Sequence, residues 1–301
     1  DYPFKPNYVV IDGLRMHYLD EGNKNDPVVL LLHGEPTWSF LYRQMIPVFV
    51  EAVYRVIAPD LIGFGKSDKP ISRDYYSYNG LVEIMNKFVE AINLENITLF
   101  AHDWGGLIGL RVVAQNPDIF ARIVVANTAL PICDAHPDIN WKKDPNAQLT
   151  KESNFRDWLK YSQTIPELPV GKVIQTLTNI ELPDDVIAAY KAPFPSELYK
   201  AGPRMLPALV CTNNEENDGA WEVLRQWKKP FLTIWGGKDS IVTTNWASSF
   251  LESVPGTQGM SHIIVVESHH FIQEDAGRFT ARMVVDFIES TFQLKKDASD
   301  F

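Results

Sequence analysis

The chain has 301 residues, a formal net charge of −10, and 45% hydrophobic and 12% aromatic residues. This length fits one large domain or two modest ones, and the apolar share is sufficient for a sizeable buried core. The acidic balance, without any Lys/Arg cluster, argues against binding to nucleic acid or to an anionic membrane surface. No apolar run has the length of a membrane span, since the longest, Val28–Leu32, is the size of a strand.

The two cysteines, Cys133 and Cys211, form neither a metal-binding spacing nor a disulfide framework. We therefore expect two free buried thiols, no metal, and a reducing, cytoplasmic setting. The chain begins at Asp1 rather than Met, so a leader removed from the protein is the alternative for its localisation.

Strand and helix patterns alternate after an initial hairpin, which predicts an α/β fold with a mostly parallel, doubly wound sheet. The predicted strands cover 8–11, 14–18, 28–32, 55–58, 97–101, 123–126, 231–235 and 262–266. Helical spacing is found over 41–49, 79–94, 107–116, 245–254 and 276–292. Ligands of such sheets bind at the carboxyl ends of the strands, so functional residues are expected in the loops that follow them.

The composition and the hydrophobic pattern of the sequence change from about residue 130 to residue 227. Prolines are frequent there, strand-like runs disappear, and short helical patterns occur around Phe155, Val173, Val186 and Trp221. This predicts a helical cap at 130–227, inserted between two parts of one core at 1–129 and 228–301.

Ala101-His-Asp-Trp-Gly105 joins a predicted strand directly to a predicted helix. The arrangement resembles the nucleophile elbow of α/β-hydrolases, which usually reads Gly-x-Ser-x-Gly. Asp103 stands at the position of the nucleophile, which would therefore be a carboxylate. The alternative is a turn residue whose carboxylate accepts backbone hydrogen bonds.

Two later strand ends supply an acid and a histidine, Asp239 and His270. The order nucleophile, acid, histidine is that of the α/β-hydrolases. As alternatives, Asp239 could cap the next helix, and His269 could be the base. The segment His270-Phe-Ile-Gln-Glu274 resembles the family's Gly-His-Phe-x-x-Glu, which assigns His270 as the base and places His269 where glycine is usual.

A carboxylate nucleophile restricts the reaction. An ionised Asp103 can displace a leaving group at a saturated carbon without proton transfer, and the product is an alkyl ester. His270, oriented by Asp239, would then activate water against that ester. The backbone N–H groups of Trp104 and Glu35 are the candidate oxyanion hole. We expect the Glu35 side chain to be held by a hydrogen-bond or charge partner.

The residue after the nucleophile indicates the leaving group. The indole of Trp104 can donate a hydrogen bond but cannot accept one, which suits a halide ion in a dry pocket. Trp158 in the predicted cap is the candidate for a second donor. Trp141 and Trp221 compete for that role and are interpreted as packing residues.

Taken together, these features resemble the haloalkane dehalogenases over essentially the whole chain. The segments that carry the resemblance are His33-Gly-Glu-Pro-Thr-Trp38, Asp60-Leu-Ile-Gly-Phe-Gly-Lys-Ser-Asp-Lys-Pro70, His102-Asp-Trp-Gly-Gly106, Lys238-Asp239, His270-Phe-x-Gln-Glu274, Phe155-x-x-Trp158 and Ala192-Pro-Phe-Pro195. The resemblance implies an α/β-hydrolase core with a helical cap, no cofactor, and halide held by Trp104 and Trp158. It also implies an apolar substrate pocket lined by Leu107, Phe155, Leu206, Pro207, Val210, Ile241 and Val242.

The expected partners are a small halogenated alkane, water and the halide product, and the expected oligomeric state is a monomer, with a dimer as the alternative. An epoxide hydrolase is the nearest rival function, because it shares the Asp nucleophile and would use tyrosines of the cap, Tyr161, Tyr190 or Tyr199, as acids. A luciferase-like monooxygenase is more remote, since it typically places its acid elsewhere. A ligand receptor on the same scaffold would usually show a damaged triad.

Overall fold

A computed structural model describes residues 2–299, with side chains described as far as residue 292. The described residues form an eight-stranded sheet in the order β1-β2-β4-β3-β5-β6-β7-β8. The strands are β1 (Asn7–Ile11), β2 (Leu14–Glu21), β3 (Val28–Leu32), β4 (Arg55–Pro59), β5 (Ile97–His102), β6 (Phe120–Ala126), β7 (Phe231–Gly236) and β8 (Ile263–Val265). The predicted α/β fold class is confirmed.

The pairing within the sheet explains why the strand ends converge. β1 and β2 form the expected hairpin and β2 pairs with β4 antiparallel, whereas every pairing from β4 to β8 is parallel. The central strands β3, β5, β6 and β7 are buried along their whole length, because helices cover both faces of a parallel sheet. Their carboxyl ends therefore lie side by side at one edge.

The helices agree with most of the predicted segments. They are α1 (Ile46–Glu51), α2 (Tyr78–Ala91), α3 (Trp104–Gln115), α4 (Phe155–Thr164), α5 (Val170–Thr176), α6 (Asp184–Lys191), α7 (Ala201–Leu209), α8 (Asn214–Leu224), α9 (Thr244–Ser253) and α10 (Ile272–Ser299). Helices α4 to α8 lie between β6 and β7, and we call the chain from 127 to 230 the helical insert. Within the described residues, no helix is both long and apolar enough to cross a bilayer.

Two helical segments differ from their predictions for reasons of proline geometry. The predicted helix over 41–49 is divided into a 3₁₀ turn, Ser39–Tyr42, and α1, because Pro47 fits only the first turn of a new helix. Helix α7 was not predicted, since it contains Pro207 in its interior. Proline removes a backbone donor there, which weakens the helical signal in the sequence.

The prediction of two free thiols is wrong: Cys133 and Cys211 form a disulfide, with Cα atoms 5.5 Å apart. Their separation of 78 residues hides this in the sequence, because only the fold brings the loop after β6 against the end of α7. The side chain of Asn214 also accepts from the Cys133 amide at 2.9 Å and donates to its carbonyl at 2.6 Å. The argument from free thiols for a reducing compartment therefore loses its basis.

Candidate active site

Asp103 stands on the sharp turn between β5 and α3. It is a non-glycine residue with φ of 51°, a conformation that costs free energy and is concentrated at functional sites. Its carbonyl accepts from the amide of Gly106 at 2.8 Å and from the hydroxyl of Thr128 at 2.6 Å. A Cβ on Gly34 would lie 2.3 Å from the Asp103 side chain, so only glycine allows the β3 loop to approach the elbow this closely.

The two oxygens of the Asp103 carboxylate have different surroundings. Oδ1 accepts a hydrogen bond of 2.8 Å from the backbone amide of Glu35, and Oδ2 lies 3.6 Å from Nε2 of His270. Burial opposes ionisation, but the hydrogen bond and positive charge of His270, helped by the amide of Trp104, lower the pKa of Asp103 below its usual value. The nucleophile candidate is therefore held as a carboxylate with one oxygen on backbone donors.

Asp239 orients the other side of the His270 ring. Its Oδ2 lies 2.8 Å from Nδ1 of His270 and accepts from the side-chain amide of Asn127 at 2.7 Å. Its Oδ1 accepts from the amides of Ile241 and Val242 at 2.9 and 3.0 Å. Although burial alone raises the pKa of Asp239, the charge of His270 and these donors lower it. One oxygen of this carboxylate thus contacts the imidazole, and three amide donors hold the carboxylate in place.

His270 is buried between the two carboxylates, and their effect on its charge is large. Burial lowers the pKa of the imidazole, but the negative charge of Asp239 and the hydrogen bonds to Asp103 and Asp239 raise it to about 10. If Asp103 became a neutral ester, one of these two carboxylate charges would disappear. The pKa of His270 would then fall, which favours a neutral imidazole at that stage.

The Glu35 side chain does not have the partner expected for it. The residue is 4% exposed, and Oε1 makes no hydrogen bond to any described residue. Burial, and then the neighbouring negative charge of Asp103, raise the pKa of Glu35 well above its ordinary value. A raised pKa favours the neutral acid, and a neutral acid needs no charge partner.

A cavity of about 290 Å³ opens above the Asp103 carboxylate and is lined by both predicted indoles, Trp104 and Trp158. Within the described residues, the indole N–H groups that donate a hydrogen bond are those of Trp38, Trp221 and Trp235, and neither Trp104 nor Trp158 is among them. The remaining predicted lining residues that the cavity contains are Leu107, Phe155, Pro207, Val210, Ile241 and Val242. Both indoles thus line an apolar space beside a carboxylate.

The prediction of Leu206 as a lining residue is wrong. Leu206 is 0% exposed and packs in the core, whereas Pro207 and Val210 line the cavity. Residues three apart share one face of a helix, so the position before Pro207 points elsewhere.

The competing indoles have other surroundings. Trp221 donates to the carbonyl of Leu130 at 2.8 Å and stacks on Phe250, so it packs as predicted. Trp141 is half-buried and does not line the cavity, whereas Trp246, which sequence reasoning missed, does.

Comparison with known proteins identifies the family. A family model described as the alpha/beta hydrolase fold matches residues 27–276. A haloalkane dehalogenase of Psychrobacter cryohalolentis is 45% identical over 298 residues, which cover 96% of this chain and 93% of that protein. The chain belongs to the haloalkane dehalogenases. A second dehalogenase, of Mycolicibacterium paratuberculosis, is 42% identical and covers 95% of this chain and 93% of its own.

A solved dehalogenase structure agrees with this membership. The tetrameric haloalkane dehalogenase DpaA from Paraglaciecola agarilytica NO2 superposes with a TM-score of 0.83 at 32% identity, over 93% of this chain and 92% of that one. The rival function, an epoxide hydrolase, is not favoured by these relatives.

The tyrosines that an epoxide hydrolase would need also lie outside the cavity of this dehalogenase. Tyr161, Tyr190 and Tyr199 are all absent from its lining. The hydroxyl of Tyr190 is moreover engaged with the Glu274 carboxylate.

Several cavity residues of the dehalogenase were missed by sequence reasoning. Besides Trp246, they are Ala129, Pro131, Ile132, Cys133 and Cys211. The residues at 129–133 directly follow β6, so the rule that ligands bind beyond the strand ends could have found them. Cys211 and Trp246 carry no such signal.

Proposed function

We propose that this dehalogenase hydrolyses haloalkanes through an alkyl ester on Asp103. Oδ1 of Asp103 is held by the Glu35 amide, which leaves Oδ2 free to attack the carbon that bears the halogen. The new C–O bond forms as the carbon–halogen bond breaks, and its electron pair leaves with the halide. The observation that carries the proposal is a carboxylate and two unpaired indole donors, Trp104 and Trp158, lining one apolar cavity.

In the second step, water attacks the ester carbonyl while Nε2 of His270 takes its proton. Asp239, 2.8 Å from Nδ1, stabilises the imidazolium that forms. The amides of Glu35 and Trp104 stabilise the oxyanion. Collapse breaks the bond from the carbonyl carbon to the alkylated oxygen, and His270 returns its proton to that oxygen, so alcohol is released. The remaining proton, on the new Asp103 carboxyl group, is lost to solvent through His270, which regenerates the carboxylate.

The substrate is a small haloalkane, and the apolar wall supports this. A cavity of about 290 Å³ lined by Leu107, Phe155, Pro207 and Val210 gains free energy by covering an alkyl chain. We also propose that the helical insert forms a cap at 130–227 over a core made of 1–129 and 228–301, because it supplies Trp158 and one wall of the cavity. No part of this reaction requires a cofactor or a metal.

The test compares two substrates. We expect bromide release from 1-bromobutane and no diol from styrene oxide, and Asp103→Ala should abolish bromide release. Diol formation without bromide release would overturn the proposal.

In His270→Phe, the butyl ester should accumulate and add its mass to the peptide that contains Asp103. An adduct on another residue would overturn the assigned nucleophile.

We propose a monomer as the working state, because the site is built within one chain. Light scattering after size exclusion tests this, and a tetramer, the state named for the Paraglaciecola relative, would overturn it.

A further inference from the structure

His269, at the position where the family motif has glycine, lies between the catalytic base and the helical insert. It is 2% exposed. The backbone amide of His270 donates to its Nδ1 at 2.8 Å, so the ring proton is on Nε2. That Nε2–H donates to the carbonyl of Lys151 at 2.9 Å. Burial lowers the pKa of His269, which keeps the ring neutral and this tautomer available.

The neighbour of the catalytic acid contacts the same carbonyl. Oγ of Ser240 lies 2.7 Å from the carbonyl oxygens of both Lys151 and Ser153. Thus the residue before His270 and the residue after Asp239 converge on one turn of the insert, 150–153. This turn is itself closed by a hydrogen bond of 3.2 Å from the Ser153 amide to the Thr150 carbonyl.

The 150–153 turn leads directly into the helix that carries the second indole. Asn154 caps α4 in a reciprocal pair with Asp157, so the turn and the first turn of the helix form one rigid unit. Phe155 and Trp158 lie on that first turn and line the cavity. A displacement of the 150–153 turn would therefore move the Trp158 indole relative to Asp103.

We propose that His269, with Ser240, is a positioning residue that fixes the Trp158 indole at the halide site by anchoring the 150–153 turn to the loops of the catalytic acid and base. The inference rests on the proposed function, since it takes Trp158 as a halide donor. The 150–153 turn would then connect the halide-binding indole to the loops of the catalytic acid and base.

The experiment measures halide affinity from the quenching of tryptophan fluorescence by chloride and bromide, together with kcat and KM for 1-bromobutane. In His269→Gly we expect halide dissociation constants about five-fold higher, the factor that one lost hydrogen bond produces. The double variant with Ser240→Ala should be weaker still. His136→Asn, at an exposed histidine of the insert, is the matched control.

Two conservative variants separate the two hydrogen bonds of His269, one with the His270 amide and one with the Lys151 carbonyl. In His269→Asn, the amide oxygen can replace Nδ1 and accept from His270, but the side chain is too short to reach Lys151. In His269→Gln, the side-chain amide reaches the position of Nε2. We expect weakened halide binding in the Asn variant and nearly normal binding in the Gln variant.

Each outcome decides a separate point. Unchanged halide affinity in both His269→Gly and His269→Asn, with or without a lower melting temperature, would overturn the inference, because a merely structural residue affects stability alone. If the wild-type enzyme released no bromide, the proposed function would fail. If Trp158→Phe bound halide normally, the inference would be overturned, because Trp158 would not be the second donor.

Discussion

The backbone amide of Glu35 lies 2.8 Å from Oδ1 of Asp103, while the side-chain Oε1 of the same glutamate has no partner among the described residues. One residue thus holds the nucleophile with its main chain and places a buried carboxyl group of raised pKa beside it. Burial, and then the negative charge of Asp103, make ionisation of Glu35 more costly, so its pKa is raised well above the ordinary value.

Glu35→Gln tests the protonated state of this acid through stability. In the unfolded chain Glu35 ionises near the ordinary glutamate pKa of 4.5, and in the folded chain its pKa is well above that value. Its stabilising contribution is therefore complete below the unfolded pKa and is lost as the pH rises towards the folded one. The melting temperature of the Gln variant, relative to wild type, should increase with pH above about 4.5. Glu90→Gln, at an exposed glutamate of α2, is the control, and parallel pH curves for Glu35→Gln and wild type would contradict the prediction.

Asp239→Asn should change the titration of His270. The charge of Asp239 contributes to raising the pKa of His270 to about 10, so its removal should lower that pKa. NMR titration of the imidazole in the wild type and the variant measures the shift directly. Ester hydrolysis should also slow by about 10²- to 10⁴-fold, with ester accumulating on Asp103, because the imidazolium loses its stabilising partner. An unshifted His270 titration would show that Asp239 does not set the charge of the base.

Trp158→Phe should weaken halide binding by about ten-fold, the effect of losing one hydrogen bond to a charged group. The ring volume is largely retained, so the fold should persist. Trp141→Phe provides the matched control, since that indole lies outside the cavity. Chloride quenching that is unchanged in Trp158→Phe and reduced in Trp246→Phe would move the second donor to Trp246.

Removal of the Cys133–Cys211 disulfide should destabilise the protein. The bond closes a loop of 78 residues, so its loss should lower the free energy of unfolding by about 4.5 kcal/mol. Urea unfolding with and without a dithiol measures the effect, and the Cys133→Ser/Cys211→Ser variant should be insensitive to the dithiol. Equal stability of the oxidised and reduced wild type would contradict the prediction.

The sequence was informative wherever a reactive residue directly follows an apolar run. Asp103 and Asp239 each stand just beyond a strand that is buried along its length, and parallel pairing brings such ends together whatever their separation in the chain. This is why the positions around the triad could be anticipated without knowledge of the insert.

Contacts between residues that are distant in the sequence could not be predicted from it. The hydrogen bond from Asn127 to Asp239 exists because β6 lies beside β7, which no local pattern reveals. The prediction of free thiols was wrong for the same reason, and so was the prediction that Leu206 faces the cavity. In the insert, prolines and short helices remove the periodicity from which a face could have been assigned.

The residues proposed to carry out the reaction and those that shape the cavity lie largely in different parts of the chain. The groups that would form and break bonds all stand on loops of the sheet, whereas the insert contributes Trp158 and apolar surface such as Phe155 and Val210. Mutations in the insert can therefore alter which molecules are accepted without rebuilding the reaction. Selection for substrate range and selection for the reaction thus act on separate parts of one polypeptide, and the carbonyls of Lys151 and Ser153 connect the two parts.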